Sequence, residues 1–128
     1  MADASAVVEF LLRTPRGAAV EAVLTAPDTD LHVPALCDIE VAAVLRRLSR
    51  SVLDAERRGQ ALADYADFPL TRHGHLSLLP RVLEMRENFT AYDAAYVALA
   101  ERLEAGLLTA DRRLARAVEA HTGVKALG

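Results

Sequence analysis

The chain has 128 residues, 52% of them hydrophobic and 26% charged, with a formal net charge of −3. That balance excludes a disordered chain and a global basic field of the kind that advertises nucleic-acid binding, and the longest apolar run, Ala94 to Ala100, is far too short for a bilayer span. A single cysteine, Cys37, excludes an intrachain disulfide; with a Met1-Ala2-Asp3 start that lacks signal-peptide character, it predicts a soluble cytoplasmic protein, one domain over 1–128.

Taken in chain order, Ala4 to Leu12 sets Ala4, Val7, Val8, Leu11 and Leu12 on one helical stripe. Pro15 after Thr14 predicts a helix start, so Gly17 to Leu24 reads as a short helix closed by the turn Pro27-Asp28-Thr29-Asp30. Leu31-His32-Val33 is a strand ended by Pro34. Cys37 to Leu48 keeps a helical period, Leu53 to Tyr65 is an amphipathic helix, and Phe68 to Arg72 is a strand. His75 to Phe89 is expected to be helical, with a start or kink at Pro80. The helix from Tyr92 to Leu103 aligns Tyr92, Tyr96, Leu99 and Leu103 and is expected to close at Gly106. Leu107-Leu108-Thr109 is a short buried strand, Asp111 to Ala120 a helix and Val124 to Leu127 a last strand. Short apolar strands alternating with helices predict an α/β fold, a central, mainly parallel sheet flanked by helices.

Four acids fall at or near helix starts: Asp3, Glu40, Asp93 and Asp111. Singly, Asp3 and Asp111 read as N-caps and Thr90-x-x-Asp93 as a capping-box-like pattern. Together they read differently, because helices that follow strands of a parallel sheet all begin at the edge where ligands bind. Carboxylates gathered there repel one another, and a hard divalent cation such as Mg²⁺ or Mn²⁺, which prefers oxygen ligands, removes that cost. No Cys/His spacing suggests zinc, and His73 and His75 read as polar turn residues. Of the 15 basic residues all but Lys125 are arginines, the better bidentate phosphate donors. An acidic Mg²⁺ site beside arginine suits phosphoryl chemistry.

The segments Asp3-Ala4-Ser5-Ala6, Pro34-Ala35-Leu36 leading into Asp38-Ile39-Glu40-Val41, Tyr92-Asp93-Ala94-Ala95-Tyr96-Val97-Ala98-Leu99-Ala100 and Leu108-Thr109-Ala110-Asp111 resemble the PIN-domain nucleases. The likeness is to the VapC-type toxins of bacterial toxin–antitoxin pairs, and it covers essentially the whole chain. It implies a PIN-like fold and a Mg²⁺- or Mn²⁺-dependent endoribonuclease with Asp3, Glu40, Asp93 and Asp111 as catalytic and metal-binding acids. Ser5 and Thr109 would be supporting hydroxyls beside them. It further implies a structured RNA substrate (tRNA or ribosomal RNA), inhibition of translation, a homodimer and a VapB-like antitoxin. Arg112 is a candidate for a phosphate near the metal, and Arg46, Arg47 and Arg50 for an RNA-facing rim. Similar proteins carry several apolar residues ahead of the first Asp. Here only Met1 and Ala2 precede it, so either the start is trimmed or the first strand is minimal, and a shortened strand is expected to misplace Asp3.

Other classes fit less well. A phosphotransfer receiver needs a well-placed Lys, and Lys125 lies four residues from the end; an Asp-nucleophile phosphatase needs an Asp-x-Asp pair that Asp3-Ala4-Ser5 lacks. The six glycines are scattered and form no nucleotide-binding loop. The alternative reading from another class is a catalytically weak PIN-fold module that binds RNA or antitoxin without cutting.

Overall fold

A computed structural model describes residues 1–12, 21–22, 25–26, 29–48 and 54–127. Most of the helix expected over 17–24, Pro27 and Asp28 of the expected turn, Arg50 and Leu53 lie outside the described residues.

The first strand is as short as expected and still sufficient. The Leu108 amide donates to the Met1 carbonyl at 2.7 Å, the Asp3 amide to the Leu108 carbonyl at 3.0 Å, and the Ala2 amide to the His32 carbonyl at 3.3 Å. Residues 1–3 therefore lie between β1 (His32–Pro34) and β3 (Leu107–Leu108). β1 pairs in parallel with β2 (Thr71–His73), and β3 with β4 (Ala126–Leu127). The order across the sheet is β4, β3, residues 1–3, β1, β2, with Ala2 wholly buried at its centre.

The helices are α1 (Ala4–Leu11), α2 (Cys37–Leu48), α3 (Ala55–Asp67), α4 (Leu79–Glu84), α5 (Ala91–Leu103) and α6 (Arg112–His121). α5 is buried without interruption from Ala94 to Ala100, which a helix apolar all round requires. Its small alanines let it lie against β1 and β3, while α1 packs on α2 and α3, and α6 on β4. A two-pronged ion pair, Arg81 Nε and Nη2 to Glu101 at 2.8 and 3.0 Å, ties α4 to α5. Among the described residues no helix is long and apolar enough to cross a membrane.

Several expectations are corrected. The helix read over His75–Phe89 is a 3₁₀ turn at Leu76–Leu78, then α4, then turns; Pro80 sits in the first turn of α4, where its missing amide costs nothing. Glu104, not Gly106, closes α5, adopting a left-handed φ of 52°. Gly106 serves a close approach instead, since a Cβ there would meet Leu127 Cδ1 at 2.9 Å. Tyr92, expected on the stripe with Tyr96, is 64% exposed because it lies in the first turn, beyond the packed layer. His73 is a strand residue, and His32 Nδ1 lies 2.9 Å from His73 Nε2 across β1 and β2.

Candidate active site

Asp3 leaves the central strand segment buried, with its carboxylate held on both oxygens. Oδ1 accepts the Ser5 hydroxyl at 2.7 Å and the Ala6 amide at 3.0 Å; Oδ2 accepts the Thr109 hydroxyl at 2.5 Å. The backbone orients those hydroxyls in turn, the Ala110 amide donating to Ser5 Oγ and the Asp111 amide to Thr109 Oγ1, each at 3.0 Å. Both hydroxyl protons are thus spent on Asp3, so the 3.3 Å approach of Ser5 to Thr109 is a contact without a proton of its own. A carboxylate accepts at about four lone-pair positions, so Asp3 retains about one, on Oδ2.

The other three acids come from three helix starts. Glu40 sits in the first turn of α2 and Asp93 in that of α5, where the Asp93 amide donates to the capping Thr90 hydroxyl at 3.1 Å. Asp111 caps α6 through Oδ1, accepting the Arg113 and Leu114 amides at 2.9 and 3.2 Å, which leaves Oδ2 available. For Asp3 and Asp111, capping and gathering at the sheet edge, set out as alternatives in the sequence, are properties of the same side chain.

All four carboxylates line one cleft of about 230 Å³, together with Ser5, Arg47 and Tyr96. Thr109 stands behind Asp3. Burial pushes the Asp3 carboxyl above its ordinary range; the Thr109, Ser5 and Ala6 bonds oppose that rise, and the Asp93 charge adds to it. Glu40 is raised by burial and raised again by the charges of Asp93 and Asp3. Asp93 is raised by burial and by Asp111, against the pull of Thr90 and Arg113. Mutual repulsion of this kind is what carboxylates gathered in one cleft exert on one another. Among the described residues no three Asp, Glu, His or Cys side chains are gathered closely enough to form a ready metal cage. The acids ring a cleft and do not yet converge on one point.

Of the arginines singled out in the sequence, Arg47 lines the cleft, whereas Arg46 and Arg112 are exposed and do not. Arg113, not singled out there, brings Nη2 to 3.9 Å from Asp111 Oδ2. Tyr96 was not singled out as a cleft residue either; its spacing of three from Asp93 on one helix carries that information.

A PIN-domain family model matches residues 1–120. Ribonuclease VapC3 of Mycobacterium tuberculosis is 44% identical over 117 residues, covering 90% of this chain and 84% of that protein. Ribonuclease VapC12 of the same organism is 37% identical over 115 residues, covering 89% and 88%. VapC ribonuclease Mb0985 of Mycobacterium bovis is 48% identical over 85 residues, covering 66% and 67%. The crystal structure of PAE2754 from Pyrobaculum aerophilum shares the fold at a TM-score of 0.65 and 21% identity, covering 98% of this chain and 80% of that one.

The family model and the ribonucleases it groups with define the class, a phosphodiester-cleaving nuclease. The chain belongs to the PIN-domain family, on the side of the VapC ribonucleases.

Proposed function

We propose that this chain is the toxin of a VapBC-type pair: an endoribonuclease dependent on Mg²⁺ or Mn²⁺ that cuts structured cellular RNA in the cytoplasm and so inhibits translation. The observation that carries the reading is the single cleft lined by Asp3, Glu40, Asp93 and Asp111. Two features support a hard divalent cation there. The donors are all carboxylate oxygens, and Asp3, Glu40 and Asp93 are each pushed up in part by the charge of a neighbouring acid. When bound, the ion supplies polarisation of the scissile phosphate and charge stabilisation of an in-line displacement.

The chain's own residues do the rest. Ser5 and Thr109 hold Asp3 in one rotamer, so that its remaining acceptor position has a fixed direction. Asp111 presents one oxygen while the other anchors α6. Arg47, in the cleft, and Arg113, beside Asp111, are guanidinium donors for the phosphates flanking the cut. Arg46 and Arg112 extend that basic rim in this reading.

The partners follow from what is exposed. Leu76, Leu79 and Leu83 recur at helical spacing and are exposed, an apolar stripe suited to a second copy in a homodimer. Ile39, 74% exposed beside Glu40, suits an apolar anchor of a VapB-like antitoxin.

The test is to induce the wild type and Asp93→Asn in a bacterial host and map new RNA 5′ ends. New ends with the wild type alone support the ribonuclease and identify its substrate. Identical RNA from two soluble, folded proteins favours the non-cutting binding module.

A further inference from the structure

Among the described residues, two buried side-chain polar atoms have no hydrogen-bond partner, and both belong to residues lining the acidic cleft: Glu40 Oε1 and the Tyr96 hydroxyl. Such atoms are rare in folded proteins because an unpaired buried polar group is destabilising. The two come from facing helices. Cys37 and Glu40 lie one turn apart on α2, and Asp93 and Tyr96 one turn apart on α5, so each helix offers one cleft acid and one deeper neighbour of the other's. Tyr96 is 2% exposed, and a phenylalanine would fill the same ring space without leaving a hydroxyl unpaired.

We propose that Tyr96 is a positioning residue for the cleft chemistry: its hydroxyl donates to Glu40 Oε1 and fixes the rotamer in which Oε2 serves the cleft. This mirrors what Ser5 and Thr109 do for Asp3, with one donor where Asp3 has two hydroxyls. A small rotation of either side chain, or one bridging water, satisfies both orphan atoms at once. The inference rests on the metal-dependent reading above for its effect on catalysis, and on two orphan atoms sharing one cleft for the Tyr96–Glu40 contact.

The test has one arm without metal and one with it. The chain has three tyrosines and no tryptophan, so ¹³Cζ-labelled tyrosine gives a simple spectrum. In metal-free protein, Glu40→Gln is expected to move the Tyr96 resonance and leave that of exposed Tyr92 in place. Tyr96→Phe assigns the resonance; if that variant does not fold, Tyr65→Phe and Tyr92→Phe assign it by elimination. In the second arm, Tyr96→Phe is expected to melt no lower than wild type without ions, to bind Mn²⁺ about 10-fold more weakly, and to lose that difference in a Glu40→Gln background. A Tyr96 resonance unmoved by Glu40→Gln, or Mn²⁺ affinity and cleavage unchanged in Tyr96→Phe, overturns the inference. A wild type that ignores Mn²⁺ while the resonance still moves overturns the metal reading and supports the contact.

Discussion

The two walls of the cleft are built on opposite terms. On the Asp3 wall every polar group has a partner: two hydroxyls and an amide hold the carboxylate, and two further amides hold the hydroxyls. On the Glu40 wall, one carboxylate oxygen and one phenol are buried and unpaired. The first wall is finished by folding. The second has one donor and one acceptor that, on the inference above, pair with each other and leave Glu40 Oε2 to the cleft. Stability and chemistry therefore sit on different sides of one small space.

The largest expected effect breaks the second wall. Asp93→Asn keeps the Thr90 cap, which uses the backbone amide, and is expected to lower RNA cleavage by more than about 100-fold with the melting temperature held or raised. Cleavage assays beside thermal melts check it, and a large drop in melting temperature would blur the division. Next, Mn²⁺ at about 100 times its Kd is expected to raise the stability of the wild type by about 2.7 kcal/mol. Asp93→Asn should lose most of that gain in a thermal-shift titration. Thr109→Val strikes the first wall. It removes a proton donor to buried Asp3 and an acceptor for the Asp111 amide, and is expected to cost about 1–3 kcal/mol in a urea melt.

The smallest effect is in pH dependence, and it separates the cleft from the sheet edge. Asp3, Glu40 and Asp93 have raised pKa values in the fold, so the folded chain binds more protons and the cleft gains stability as pH falls toward the ordinary carboxylate range. His32 runs the other way. Burial, then the charge of His73 and of the amino terminus, lowers its pKa, with Asp30 opposing. At 2.9 Å the imidazole pair needs one neutral ring as acceptor. Its contribution is present above the unfolded value of 6.5 and is lost as pH falls through the folded one. His32→Gln should therefore flatten the pH 5–7 stretch of a stability profile (that window being approximate), leaving the carboxylate slope below it.

How much of this the sequence carries depends on the range of the interaction. The caps Asp3, Thr90 and Asp111 and the full extent of Cys37–Leu48 are local, set by spacing and side-chain type, and they match the structure. That the four acids line one cleft was legible only through the rule that parallel strands end on one edge. His32 and His73 are 41 residues apart and meet through a strand register that no local pattern encodes. Tyr96 was hidden for a different reason: its stripe identifies it as a core residue, which it is, while its hydroxyl end belongs to the cleft. The closure of α5 at Glu104 escaped as well, because Gly106 is the better left-handed residue and was needed for packing against Leu127.

The converging helix starts also decide how so much negative charge survives folding. α1, α2, α5 and α6 all present their N-terminal turns to the cleft through Asp3, Glu40, Asp93 and Asp111. Each N-terminus carries about half a positive charge from its aligned peptide dipoles. Four such ends supply a built-in counter-field that no mutation of a side chain can remove. It steadies the acids and, on the ribonuclease reading proposed above, favours the anionic backbone of a nucleic acid at the same spot.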